Sequence, residues 1–303
     1  MAKNYVKSRK DHLSFSLELF PPKTDRGRES LLGQIPLVES IKPRTLSVTS
    51  GAGGTGNNRT LSTIKAIKEK TDVPLTAHVT CIADDKVDTQ RSLDEYTDEG
   101  IYNILALRGD PNESEPVSPA IDSYGSAAAL VRGIRSRSDG DQFYISVAGY
   151  PEVHPKAQSK KTDLESLKTK VAEGADLIIT QFFFDPLIFL KFLEETEESG
   201  INAPIVPGII VISDFSRIAN FAAKCGTHIP DWIAGRFAGL EPGSEEANSL
   251  AEEITTQQCS QLMEHGIRMF HFYTLNRLDL VVPICEKLLG GYSSQSKSDC
   301  TNS

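Results

Sequence analysis

Glu18 lies in the run Phe15-Ser16-Leu17-Glu18-Leu19-Phe20-Pro21-Pro22, a lone carboxylate among apolar neighbours. Apolar surroundings disfavour the ionised form, so they raise proton affinity and make such a group usable as a general acid near neutral pH. The plainer alternative is a structural carboxylate paired with a cation. His78 alone reads more as a satisfied core histidine than as a catalyst, and no proton transfer is assigned to it. Arg108-Gly109-Asp110 puts opposite charges on either side of a glycine that would let a ligand approach the backbone; the same three residues could form a turn with its own ion pair. Gln181, ahead of three aromatics at 182–184 that read as core, contributes an amide. The run Phe272-Tyr273-Thr274-Leu275-Asn276-Arg277 ends in a guanidinium. The set supplies acid, base, amide and cation.

Gly51-Ala52-Gly53-Gly54-Thr55-Gly56 fits G-x-G-x-x-G, the dinucleotide fingerprint, but that motif needs an acidic residue at the tip of the next strand, where Thr80 and Cys81 stand. Asn57 and Asn58 replace the Lys and Ser/Thr of a phosphate-binding P-loop. A glycine loop over a binding site is the simpler reading.

These residues need a scaffold that gathers them. Short β-branched and aromatic runs at 15–20, 45–49, 75–80, 102–107, 143–148, 177–182, 205–210 and 269–274 alternate with helical periodicity. Eight such repeats predict a (β/α)8 barrel, whose chemistry sits at the C-terminal ends of the strands, where the residues above fall. Within 159–173, Leu164, Leu167 and Val171 form one apolar stripe and Gly174 supplies the stop. Extra helix is expected between the seventh and eighth strands, at 230–232 and 244–265. The expected organisation is a mobile arm at 1–12, one barrel domain at 13–292 and a disordered tail at 293–303.

Net charge of −9 from 32 basic and 41 acidic residues disfavours a general nucleic-acid or anionic-membrane binder. No apolar run is long enough to span a membrane, and 1–12 lacks the features of a secretory signal. Five scattered cysteines without a Cys-x-x-Cys pair fit a reducing cytoplasm. The six histidines show no zinc-ligand spacing, so no metal is expected.

In order along the chain, Phe20-Pro21-Pro22 after Glu18, Leu46-Ser47-Val48-Thr49, Ala77-His78-Val79-Thr80-Cys81, Ala106-Leu107-Arg108-Gly109-Asp110, Tyr150-Pro151-Glu152-Val153-His154-Pro155, Thr180-Gln181-Phe182-Phe183-Phe184-Asp185 and the stretch 270–277 resemble the methylenetetrahydrofolate reductases. The chain is similar to their compact bacterial form, which lacks the C-terminal regulatory domain of the eukaryotic enzymes. The resemblance implies non-covalent FAD at the barrel mouth, NADH or NADPH as donor, and hydride passed through the flavin to 5,10-methylenetetrahydrofolate in one-carbon metabolism. It implies Glu18 as general acid and Asp110 as a second catalytic carboxylate favouring a cationic iminium.

For the flavin the resemblance implies Thr49, Ala52, His78, Arg108, Gly109, Asp110, Tyr124, Gly125, Tyr150, His154, Asp163, Ser166, Thr169 and Lys170. Asp163, Ser166 and Lys170 also share the helical face opposite the apolar stripe. For the substrates it implies Asp110, Gln181, Arg217, Phe221 against the nicotinamide, and Arg277 at the glutamate carboxylates of the folate. Ser166, Thr169 and Arg217 stand where the best-known bacterial members carry Asn, Arg and Gln, and Ser50 replaces a Tyr. A homo-oligomer is implied as well. The alternatives are a non-catalytic folate-binding barrel subunit, or a flavin-free lyase or aldolase, although neither a Schiff-base lysine nor a phosphate loop after the last strands is visible.

Overall fold

The computed structural model describes residues 12–50, 56–109 and 120–301, the side chains of 56–57 and 293–301 excepted. The eight apolar runs form strands β1 Ser14–Leu19, β2 Thr45–Val48, β3 Leu75–Thr80, β4 Asn103–Leu107, β5 Tyr144–Gly149, β6 Leu177–Phe182, β7 Ile205–Ile210 and β8 Met269–Tyr273. They pair in parallel in chain order, and β8 returns to β1, closing the barrel. The fold is therefore the (β/α)8 barrel that the count of eight predicts. Among the described residues no helix is long and apolar enough to cross a membrane.

The strands are connected through helices α1 Asp25–Gln34, α2 Gly56–Lys68, α3 Lys86–Asp98, α4 Ala127–Arg135, α5 Lys160–Ala172, α6 Pro186–Glu198 and α7 Phe215–Cys225. Between β7 and β8 the chain adds α8 Asp231–Phe237 and α9 Glu245–Glu264, and α9 packs against α6, α8 and the final helix, α10 Leu278–Thr301. This last helix runs through most of the segment expected as a tail. Local chemistry sets the boundaries of α5. Ser159 and Thr162 cap each other's backbone at its start, and Gly174 (φ 110) follows its last residues.

Strand side chains alternate between the helical layer and the barrel interior. Outward-facing Leu17, Leu19, Leu46, Val48, Ile104 and Ile145 join the main core. The interior is divided. Leu105, Tyr144, Leu177, Ile179 and Val206 make an apolar wall on the β4–β7 side. On the other side the buried residues are polar: Ser16, Glu18, Thr45, Ser47, Thr76, His78 and His271. A buried hydroxyl without a partner is costly, and most of these are paired across strands, Thr45 Oγ1 with Thr76 Oγ1 at 2.8 Å and Ser16 Oγ with His271 Nδ1 at 2.8 Å, whereas Ser47 Oγ has no partner among the described residues. A void of only about 10 Å³ remains between the two walls.

Candidate active site

Glu18 closes the polar wall towards the C-terminal end of the barrel. Its side chain is buried, and its Oε2 lies 3.6 Å from Nε2 of His78 and 3.6 Å from Nε2 of His271. Both distances exceed hydrogen-bonding range, and neither Nε2 has another partner among the described residues. The carboxylate thus sits between two imidazoles. The sequence suggested an apolar setting, and that is corrected here: Leu17 and Leu19 point to the opposite face of β1, so chain neighbours are not spatial neighbours. Burial pushes the His78 imidazole down to about 4, against the pull of Glu18, which makes it a neutral neighbour at physiological pH.

Beside this group, burial and the nearby Glu18 raise the Tyr273 phenol well above its usual range, so it stays protonated and donates to Thr180 O at 2.8 Å. That carbonyl is free because the β6–β7 register shifts between Ile179 and Phe182. Gly208 makes the arrangement possible, since a Cβ there would sit 2.1 Å from Thr180 O and 2.6 Å from the Tyr273 ring. Gln181 occupies the shifted stretch and accepts from Phe182 N–H at 3.1 Å through its amide oxygen. Phe182 leads outward to Phe221 of α7, ring centroids 5.3 Å apart, and Phe221 keeps 36% exposure, enough to meet a ligand face. Arg217 lies one turn earlier on α7 and is exposed.

At the rim, Thr274 Oγ1 donates to Glu18 O at 2.5 Å, bringing the exit of β8 onto that of β1. Arg277 follows, its guanidinium held by Asp279 at 2.8–3.2 Å. Thr49 joins the same rim, its N–H donating to Leu19 O at 2.9 Å.

A cavity of about 690 Å³ opens from the ends of β3, β4 and β5 across the start of α4 to one face of α5. Arg108 and Gly109, Tyr150 and His154, and Asp163, Ser166, Thr169 and Lys170 all line it. Gly109 has φ 83, a conformation that favours glycine, and a Cβ there would press on Thr80 at 3.0 Å. Ser126, Ala127 and Ala128 present the first turn of α4, where small side chains leave main-chain N–H groups and the positive end of the helix dipole open to an anion. Tyr150 and His154 meet edge to face at 4.5 Å. The Asp163 carboxylate accepts from His154 N–H at 3.0 Å, and Lys170 Nζ donates to Ala148 O at 2.7 Å. Burial lowers the Lys170 ammonium to about 8, with Asp163 opposing.

Most of the chain is similar to one family of proteins. The methylenetetrahydrofolate reductase family matches residues 4–289. The chain belongs to this family. A 5,10-methylenetetrahydrofolate reductase of Pectobacterium carotovorum subsp. carotovorum is 39% identical over 277 residues, covering 91% of this chain and 90% of that protein. The Escherichia coli (strain K12) protein of the same name is 38% identical over 278 residues, with the same coverage. Methylenetetrahydrofolate reductase (NADH) 1 of Arabidopsis thaliana is also 38% identical, over 87% of this chain but 46% of its own length. Among solved structures, an uncharacterised Clostridium thermocellum protein that binds two copies of 5-methyl-5,6,7,8-tetrahydrofolic acid shares the fold, with a TM-score of 0.63, 12% identity, and coverage of 95% of this chain and 99% of that one.

Within the family frame, the expected flavin positions divide by location. Eight line the cavity, while His78 lies beneath it beside Glu18 and Thr49 lies at the β1 rim. Tyr124 and Gly125 do not line it: the Tyr124 hydroxyl accepts from Gln90 Nε2 at 2.6 Å, and its ring lies where a side chain at position 133 would stand, a place left open by Gly133. Ala52 and Asp110 fall outside the described residues. Sequence reasoning missed His271 and Ser16 around Glu18, and Lys156, Gln158 and Thr162 on the cavity wall. The β1–β8 register, Ser16 opposite His271 and Glu18 opposite Tyr273, is the signal that would have found the first pair.

Proposed function

We propose that the protein reduces 5,10-methylenetetrahydrofolate to 5-methyltetrahydrofolate with NADH or NADPH, using non-covalent FAD in the cavity described above. Family membership supports the reaction. The observation that carries the cofactor assignment is the convergence of eight positions from three separate segments on one cavity. Its chemistry suits a dinucleotide: the open first turn of α4 and Lys170 offer positive charge for a diphosphate, and Gly109 allows close approach of a planar ring. FAD held there by these residues would supply a hydride carrier between the nicotinamide and the folate.

The chain's own residues do the rest. As the general acid that the resemblance implies, Glu18 at the base of the mouth would pass a proton to the folate amine that departs as the imidazolidine ring opens to an iminium. His78, neutral beside it, sets no positive charge against the carboxyl. Gln181 holds the folate through its amide, Phe221 stacks on the flat face of a bound ring, and Arg277 takes the glutamate carboxylates. Asp110 adds negative charge that favours the iminium cation.

Purified protein should be yellow. Under anaerobic conditions NADH or NADPH should bleach it, and methylenetetrahydrofolate should restore the colour with formation of 5-methyltetrahydrofolate. Protein that takes up no FAD defeats the cofactor assignment, and bleached protein that the folate cannot reoxidise defeats the reaction. The homo-oligomer implied by the resemblance is read separately by sedimentation.

A further inference from the structure

The turn between β8 and α10 contains two consecutive non-glycine residues in the left-handed region, Leu275 (φ 50) and Asn276 (φ 59); the only other such residue among those described is Lys42 (φ 43). This conformation is unfavourable for leucine and tolerated by asparagine, so something must hold the turn. The β1–β8 ladder does not, because its last pair is Glu18 with Tyr273.

The turn closes on one main-chain bond, Arg277 N–H to Thr274 O at 2.8 Å, and what ties it to the exit of β1 is a side-chain bracket. Asn276 Oδ1 accepts from Phe20 N–H at 2.8 Å and its Nδ2 donates to Phe20 O at 2.9 Å, reproducing with one amide the two bonds a neighbouring strand would make. Thr274 Oγ1, which donates to Glu18 O at 2.5 Å, accepts from Asn276 N–H at 3.1 Å. From outside, Gln34 of α1 donates to Asn276 O at 3.3 Å and accepts from Asp279 N–H at 3.2 Å. Asp279 in turn holds the Arg277 guanidinium. An unbroken series of bonds therefore runs from the main chain of Glu18 to the charged group of Arg277.

We infer that Asn276 is a positioning residue for the folate half of the reaction: by bracketing Phe20 it fixes the distance between the acid at the base of the mouth and the guanidinium at the rim. The role rests on the folate reading above. Asn276 itself touches neither the flavin cavity nor the reacting atoms, so its loss should separate the two halves of the catalytic cycle.

The test is Asn276→Gly, which accepts positive φ without strain and removes only the amide, with Asn276→Asp alongside, which keeps the acceptor for Phe20 N–H but sets a carboxylate against Phe20 O. Amide hydrogen exchange in N276G should quicken about tenfold or more at Phe20 and through 276–281, and stay unchanged in the strand ladders. Flavin reduction by NADH should stay within about twofold of wild type, while folate-dependent reoxidation falls about tenfold or more. N276D should lie between wild type and N276G. Adding N276G to Arg277→Ala should raise the folate KM no further, because the two act through one contact. Equal losses in both halves, or unchanged exchange at Phe20, would overturn the inference. A wild type that cannot reduce methylenetetrahydrofolate overturns the folate reading and the role with it; a competent wild type beside an N276G variant with normal folate kinetics overturns the role alone.

Discussion

Raising the pH should loosen the hold of the cavity on FAD, through Lys170. In the free protein its ammonium loses its proton at about 8, because burial outweighs the attraction of Asp163. A diphosphate beside it would favour the charged form and carry the bound-state value back towards the ordinary lysine range. Binding then takes up a proton wherever the free amine is already neutral. Affinity should therefore be level below about pH 8 and fall by up to about tenfold per pH unit above it, or about 100-fold, near 2.7 kcal/mol, by pH 10. The assay is quenching of flavin fluorescence by apoprotein, titrated from about pH 6 to 10 at fixed ionic strength, since screening would flatten the profile. Lys170→Met should bind weakly with no bend near pH 8. A level wild-type profile, or the same bend in the Lys170→Met variant, would refute the assignment of charge to this side chain.

Other perturbations address different parts of the molecule. Glu18→Gln should leave NADH bleaching of the flavin intact and slow folate-dependent reoxidation by about 100-fold or more, as stopped-flow absorbance would record; normal turnover removes Glu18 from the mechanism. Arg277→Ala should raise the folate KM about tenfold and spare flavin reduction, and an unchanged KM removes its carboxylate contact. His78 stays neutral in the fold down to about 4 but takes up its proton near 6.5 in the unfolded chain. The unfolded state therefore binds more protons between these values, and stability should fall as pH drops through that window by at most about 3 kcal/mol. His78→Gln should show a shallower acid loss in thermal melts, and an identical slope would contradict the buried neutral imidazole. Gly208→Ala drives a methyl group into Thr180 O and the Tyr273 ring, and should lower stability by about 2–3 kcal/mol with a matching fall in Tm; a neutral effect would mean that the β6–β7 shift is not needed there.

The strands were legible because each sets apolar residues against the helical layer and is rich in β-branched or aromatic types over a few residues, and the chain has eight such runs. The cavity face of α5 was legible for a similar local reason, since Asp163, Ser166 and Lys170 recur at helical spacing. Long-range contacts were harder to read. His271 and Ser16 meet across 255 positions, and only closure of β8 onto β1 sets their register. The surroundings of Glu18 were misjudged for a related reason: adjacency in a strand places residues on opposite faces. Lys156 and Gln158 belong to an irregular stretch whose path no periodicity fixes.

The nearly filled space between the polar and apolar walls has a consequence for proton traffic. A void of about 10 Å³ is at the threshold for a single water, too little for a hydrogen-bonded file running up from the far end of the barrel. The neutral His78 flanking Glu18 is a poor proton reservoir at physiological pH. If Glu18 is the acid proposed above, solvent at the mouth is then the ready source for recharging it. On that reading reprotonation would belong to the interval when product has left and solvent stands over the carboxyl, so that the emptying of the mouth resets the site.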